Sequence, residues 1–311
     1  MQSNSVLQRD PRQQHAHLDP AVEALAYLRG VSKRFGQTEA LRGVDLAIHR
    51  GEVVALLGPN GAGKTTAISI LLGLRRPDRG EARLCGHDPR LPQARRQIGA
   101  TPQETGVPFR LTVGEVLDLV RAHYSSPAPP AAVLERFGLL DLERRQIGGL
   151  SGGQRRRLAV ALAFAGNPKV VFLDEPTTGL DVEARRGLWT AIRNYVQEGG
   201  TILLTTHLME EAEALATRVV ILDHGQVLAA GNVEAIKARA RLTRVRFRAA
   251  GVPVLPGVVR AEQEHDMHIL YTPDGDALVQ ELVRRGVDFV DLEVRPTPLE
   301  EAYLVLTRGA A

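Results

Sequence analysis

Val53-Val-Ala-Leu-Leu57 runs directly into Gly58-Pro-Asn-Gly-Ala-Gly-Lys64-Thr65. Five apolar residues without polar alternation read as a strand buried on both faces. The eight that follow match G-x-x-x-x-G-K-[ST], and a helical pattern continues over 65–74. A strand, a glycine loop and a helix start in that order make a phosphate cradle. Glycines let the backbone turn tightly and aim its N–H groups inward, and the helix N-terminus adds the positive end of its dipole. Gly58, Pro59, Asn60, Gly61, Ala62, Gly63, Lys64, Thr65 and Thr66 are therefore expected to hold a nucleoside triphosphate. Lys64 would reach the β and γ phosphates and the Thr65 hydroxyl would bind Mg2+. The only other lysines are Lys33, Lys169 and Lys237, so this one stands out.

Similar apolar runs recur at Val170-Val-Phe-Leu173, Ile202-Leu-Leu-Thr205 and Val219-Val-Ile-Leu222. Helical patterns over 154–165, 184–196 and 209–215 lie among them. Strands alternating with helices indicate an α/β fold with a parallel, doubly wound sheet. Residues 111–149 break the rhythm: Thr112-Val-Gly-Glu115 reads as a capping box opening a helix, and a Ser/Pro/Ala linker leads to a second helix ending near Gly138. This marks a helical subdomain, about 104–165, inserted into the core of a domain covering 25–240. Residues 1–24 are polar and aperiodic and are read as a loose tail. Residues 241–311 read as a small α+β domain, with short strands at 242–247, 268–271 and 288–294 and a helix at 276–285. Its last helix should start at Thr297-Pro-Leu-Glu300, with Thr297 as cap and Glu300 closing the box. That helix's stripe of Leu299, Ala302, Tyr303 and Leu306 is read as facing the small domain's own core.

Composition narrows the classes. The 311 residues carry 39 Lys plus Arg against 36 Asp plus Glu, a formal net charge of +3, too near neutral for nucleic acid to be the main partner. Cys85 is the sole cysteine, which excludes an intrachain disulfide and a cysteine zinc cage and fits a reducing cytosol. No stretch approaches the ~20 apolar residues of a membrane span, and the first ten residues lack the apolar segment of a secretory signal.

Two further motifs carry chemistry. Val170-Val-Phe-Leu-Asp174-Glu175 is a buried strand ending in two acids. Asp174 can hold Mg2+, and Glu175 can orient the attacking water or accept its proton. Leu150-Ser151-Gly152-Gly153-Gln154 opens a helix with a good N-cap serine followed by two glycines, a poor first turn unless something must come close to the backbone. Such a start suits an anion, although a plain cap would use the same serine. Arg155-Arg-Arg157 beyond it reads as a solvated helix face.

In this order, the phosphate loop, Leu150 to Gln154, the Asp174-Glu175 strand end and Thr206-His207 resemble the ATP-binding subunit of an ABC transporter, over about 26–232. The resemblance implies a P-loop NTPase core binding ATP and Mg2+ and a homodimer, formed when ATP is bound, in which two copies pair head to tail. Ser151 and Gly153 of one copy would then meet the γ-phosphate held by Lys64 of the other. It further implies that Phe35 stacks on adenine, Gln103 reaches Mg2+ and water, Asp181 lies in the loop crossing the dimer, and His207 contacts the γ-phosphate beside Glu175. Phe109-Arg-Leu-Thr-Val113 is similar to the region that meets a coupling helix of the membrane partner. Arg295-Pro-Thr-Pro-Leu-Glu-Glu-Ala-Tyr-Leu304 resembles the tail domain of the drug-resistance group of type-2 ABC exporters.

The function implied is an ATPase that powers export through separate membrane permease subunits, from a cytoplasmic position at the membrane face. A P-loop kinase has no use for Ser151-Gly-Gly. ABC ATPases acting on nucleic acid or ribosomes tend to carry two cassettes or a long coiled coil, and neither is present. Two alternatives stay open at this level: an importer ATPase subunit and a soluble ABC ATPase outside transport.

Overall fold

The computed structural model describes residues 24–101 and 106–308. Its central sheet runs, edge to edge, β5 (Ile98–Thr101), β6 (Val170–Asp174), β7 (Ile202–Thr205), β3 (Val53–Leu57), β8 (Arg218–Asp223) and β9 (Gln226–Gly231). The first five strands in that order are parallel, and β9 pairs antiparallel with β8. Every residue of β3 and β7 is buried. Alternate residues of β3 serve two cores: Val54 and Leu56 face one, Val53, Ala55 and Leu57 the other. That division is why the run is uniformly apolar.

On the first face, α1 (Lys64–Leu71) lies between the central sheet and an antiparallel sheet of β2 (Thr38–His49), β1 (Ala24–Phe35) and β4 (Arg79–Leu84). A short α2 (Pro92–Arg95) precedes β5. The second face is covered by α5 (Gly152–Leu162), α6 (Val182–Gln197) and α7 (Met209–Leu215), with α3 (Val113–Arg121) and α4 (Pro130–Arg136) packed beyond α5. The Thr112 capping box forms as expected: its hydroxyl accepts from the Glu115 N–H at 3.2 Å, and the Glu115 carboxylate accepts from the Thr112 N–H at 2.8 Å.

After α8 (Val233–Arg239) comes an antiparallel sheet in the order β11 (Arg260–Glu264), β12 (Met267–Thr272), β10 (Thr243–Arg248) and β13 (Val290–Pro296). Helix α9 (Gly275–Arg284) closes a small core of Val245, Phe247, Leu270, Leu278 and Leu282 against it. The last helix, α10 (Leu299–Arg308), departs from expectation. Leu299, Tyr303 and Leu306 pack into the large domain's core, where α10 lies on α7, α8 and β9. The Thr297 capping box is not formed: its hydroxyl is buried without a hydrogen-bond partner among the described residues. Instead the Leu299 N–H donates at 2.7 Å to the Glu213 carboxylate of α7. A cap from another helix serves the free N–H as well as a local one does, and it ties α10 down. Among the described residues, no helix is long and apolar enough to cross a membrane.

Leu299 is fully buried in the large core, so Leu299→Ala should lower the unfolding free energy by about 2–5 kcal/mol. Urea denaturation followed by the fluorescence of Trp189, the only tryptophan, should register that loss, because Trp189 belongs to the same core. An unmoved Trp189 transition would show that Leu299 serves the small domain alone.

Candidate active site

The phosphate loop joins the end of β3 to the start of α1. Gly63, directly before Lys64, has φ +105°, and a Cβ there would come within 2.5 Å of the Ala40 carbonyl oxygen and 2.7 Å of Leu41. Only glycine fits between β2 and the turn. Lys64 Nζ donates to the Gly58 and Pro59 carbonyls at 2.6 and 3.0 Å, curling over its own loop. Half-burial pushes its pKa down, while the nearby Glu175 and Asp174 carboxylates push it up. An ammonium so placed gains by meeting phosphate oxygens.

Asp174 closes β6 beside Thr205 of β7. The Thr205 hydroxyl donates to Asp174 Oδ1 and accepts from the Glu175 N–H at 3.1 Å. Glu175 stands at φ +47°, in the left-handed region. That conformation costs a non-glycine residue about 1–3 kcal/mol and persists only where the surroundings enforce it. Both carboxylate oxygens are held. Oε1 lies 3.2 Å from His207 Nδ1, and Oε2 accepts from the Thr178 hydroxyl at 3.1 Å. A carboxylate only accepts, so this contact is favourable when Nδ1 carries the proton. The Nε2 edge remains, and when protonated it can donate to a phosphate oxygen.

The enforcement at Glu175 comes from Arg156. Its guanidinium donates to three successive carbonyls, at 2.7 Å to Asp174, 2.6 Å to Glu175 and 3.1 Å to Pro176. This overturns the reading of Arg155 to Arg157 as a solvated face. Arg155 donates to the Leu150 carbonyl, and Arg157 reaches those of Phe137 and Gly138 at 3.5 Å. The signal was in the periodicity. Ala159, Val160 and Ala163, three, four and seven residues after Arg156, are all buried, so Arg156 sits on the inward stripe of its helix.

Within the chain, Ser151 acts as the cap of α5. Its hydroxyl accepts from the Gln154 N–H at 3.1 Å, and Gln154 Oε1 accepts from the Ser151 N–H at 2.9 Å. An accepting hydroxyl keeps its own proton to donate, and Ser151 and Gly152 are exposed. Among the described residues, Ser151 makes no hydrogen bond to the phosphate loop. Asp181 caps α6, accepting from the Ala184 N–H at 2.8 Å. Phe35 ends β1 at 39% exposure and is not a core residue. Arg75 lies 5.0 Å and Lys33 5.6 Å from its ring centre. Gln103 lies outside the described residues, as does the tail 1–23. Thr205, Thr178 and Arg156 went unnoticed in the sequence because each acts on a catalytic candidate through backbone or carboxylate contacts between distant segments.

A family model described as ABC transporter matches residues 41–178. Daunorubicin resistance ATP-binding protein DrrA3 of Streptomyces coeruleorubidus is 38% identical over 298 residues, covering 89% of this chain and 94% of that protein. Nod factor export ATP-binding protein I of Cupriavidus pinatubonensis is 38% identical over 304 residues, covering 93% and 92%. The solved structure of an ATP-binding subunit of an ABC transporter superposes with a TM-score of 0.63 at 30% identity, over 69% of this chain and 92% of that one. A dimeric ATP-binding cassette in a post-hydrolysis state, bound to ADP and Pi, gives 0.61 at 27% identity, over 67% and 98%.

Hydrogen bonds to charged groups contribute about 1.5–3 kcal/mol each, so Arg156→Ala should destabilise the fold by at least about 2 kcal/mol and slow ATP turnover as well. Arg156→Lys should restore only part of both, because an ammonium cannot span three carbonyls as a planar guanidinium does. Denaturation midpoints and steady-state ATPase rates of the two variants test this, and wild-type values for Arg156→Ala would refute it.

Proposed function

The chain belongs to the ABC transporter family as an ATP-binding, ATP-hydrolysing subunit, and on that premise we propose that it powers export through separate membrane permease subunits. The observation that carries the catalytic part is the 3.2 Å contact between Glu175 and His207 within electrostatic reach of Lys64. Water attacking the γ-phosphorus would give its proton to the Glu175 carboxylate as the bond to the β–γ bridging oxygen breaks, leaving ADP and phosphate. His207 holds Glu175 in place and offers Nε2 to the γ-phosphate. Lys64 and the loop N–H groups hold the β and γ phosphates, and the partly exposed Phe35 ring offers a face to adenine.

The oxygen donors at the site suit Mg2+, which binds through one or two protein oxygens together with phosphates and water. Thr65 lies in the first turn of α1, and the Asp174 carboxylate is oriented by Thr205. Those two residues, with Gln103, would hold the ion, which supplies positive charge to the β and γ oxygens. The exposed Ser151, whose accepting hydroxyl keeps a proton to donate, and Gly153 would meet ATP bound by a second copy, with Asp181 at the head of α6 in the loop that would cross the dimer. ATP would then close a head-to-tail homodimer and hydrolysis would reopen it. The two relatives named for drug resistance and for Nod factor export support the export direction, since the chain covers more than nine-tenths of each. Phe109, 63% exposed, is the residue proposed to face the permease.

Glu175→Gln keeps the shape of the side chain but cannot take the proton. Turnover should fall at least about a hundredfold while ATP binding persists. Light scattering of this variant should show a monomer alone and a dimer with Mg-ATP, and Ser151→Ala added to it should weaken the dimer. Wild-type turnover would remove Glu175 from its role, and an unchanged dimer in the double variant would remove Ser151 from its own. Tagged Glu175→Gln protein should also retain a polytopic membrane protein from solubilised native membranes, whereas its absence would favour an ATPase outside transport.

A further inference from the structure

One buried acid has no part in the chemistry described so far. Glu211 of α7 is fully buried, four residues beyond His207. Its Oε1 accepts from the Trp189 indole N–H of α6 at 3.2 Å. The buried Thr206 and Thr177 hydroxyls lie close enough to act electrostatically on this carboxylate, while Oε2 has no hydrogen-bond partner among the described residues. Thr206 and Thr177 are themselves 2% exposed. The Thr206 oxygen already accepts from the Leu208 N–H at 3.0 Å, so its own proton is the one available to the carboxylate. Burial pushes the Glu211 pKa up, while these donors and Arg185 pull it down. Arg156 feels the same charge, together with those of Asp174 and Glu175.

Keeping a carboxyl group in a core is costly unless its oxygens are used. The segments that converge here show the use. Thr177 lies two residues after Glu175, and Thr206 lies directly before His207. Trp189 anchors the point to α6, and Arg156 brings in the helix headed by Ser151. A carboxylate only accepts hydrogen bonds, so it can gather donors from several segments at once, which a hydroxyl or amide cannot do as fully.

We propose that Glu211 is a positioning residue for ATP hydrolysis, holding the Thr177 and Thr206 segments in register so that His207 meets Glu175. The proposal rests on the roles given above to those two residues. Glu211 touches no nucleotide, so its loss acts on the rate of the chemical step and leaves ATP affinity alone.

The test uses the full chain and steady-state ATPase kinetics. Glu211→Gln fills the same volume and should lower kcat about tenfold or more, because a slight misplacement of reacting groups is expensive in rate, while KM for Mg-ATP stays within about twofold of wild type. Thr206→Val, which keeps the shape and removes the donor, should reproduce the effect and serves if Glu211→Gln does not fold. The decisive comparison is a double-mutant cycle. Glu211→Gln acts through His207, so adding it to His207→Ala should bring no further loss. Losses that multiply in the double variant, or a wild-type kcat in Glu211→Gln and Thr206→Val, overturn the proposal. A loss with His207→Ala but none with Glu211→Gln overturns the proposal alone, whereas unchanged turnover in His207→Ala overturns the catalytic assignment and the proposal with it.

Discussion

The left-handed turn at Glu175 is the constraint on which the site depends. Successive side chains of a strand point to opposite faces of its sheet, so Asp174 and Glu175 on an unbroken β6 would serve different sites. The turn at φ +47° brings both acids within electrostatic reach of Lys64. It is strained, and it is held from two directions. Thr205 takes the Glu175 N–H from the neighbouring strand, and Arg156 takes the carbonyls on either side from the helix of the insertion. Removing either support would let the backbone relax toward the extended conformation and separate the two acids. The active-site geometry is thus a property of β6, β7 and α5 together.

The second constraint lies at the far end of the chain. The small sheet is flanked by α8 and α10, and both return to the large domain. Glu213 of α7 joins them, accepting from the Leu299 N–H and pairing with Lys237 at 3.0 Å. Burial of Leu299 and Ala302 holds α10 more firmly than that ion pair does, since a partly solvent-exposed pair contributes little. The four-stranded sheet is therefore tied at both ends to the α7 neighbourhood, and α7 begins two residues after His207.

The parallel core was legible because its strands are buried on two faces and carry polar residues only at their ends, where they do not blur the pattern. Val53 to Leu57 and Ile202 to Thr205 form strands over the residues read from the sequence. Strand β5 escaped for a physical reason. Gly99 interrupts it, and the structure shows why: a Cβ there would lie 1.6 Å from the Ala163 carbonyl oxygen. Close approach of a helix end selects a residue that looks, in sequence, like a break. Thr297 misled in the opposite way. Its spacing to Glu300 is that of a capping box, but among the described residues its hydroxyl makes no hydrogen bond, and Glu213 from a distant helix caps the Leu299 N–H instead. The phosphate loop and the strand-end acids could be read because their chemistry is local. Arg156, Thr205 and Glu211 could not, because each works across segments that only the fold brings together.

The two glycines after Ser151 point beyond the chain. As the cap of α5, Ser151 needs only Gln154, and each glycine in the first turn costs roughly 0.5–1 kcal/mol relative to alanine. A Cβ on Gly152 would meet no described atom within 4 Å, and one on Gly153 would make only an ordinary contact with Leu180 at 3.5 Å. Neither glycine has a positive φ to require it. Packing and backbone conformation within the subunit would thus accept alanine at both positions. Close approach by a group from outside would not, because a methyl at 152 or 153 would keep a phosphate away from the helix N–H groups. The sequence therefore bears a cost that the described residues of one subunit give no reason for, and the proposed approach of ATP held by a second copy would supply one.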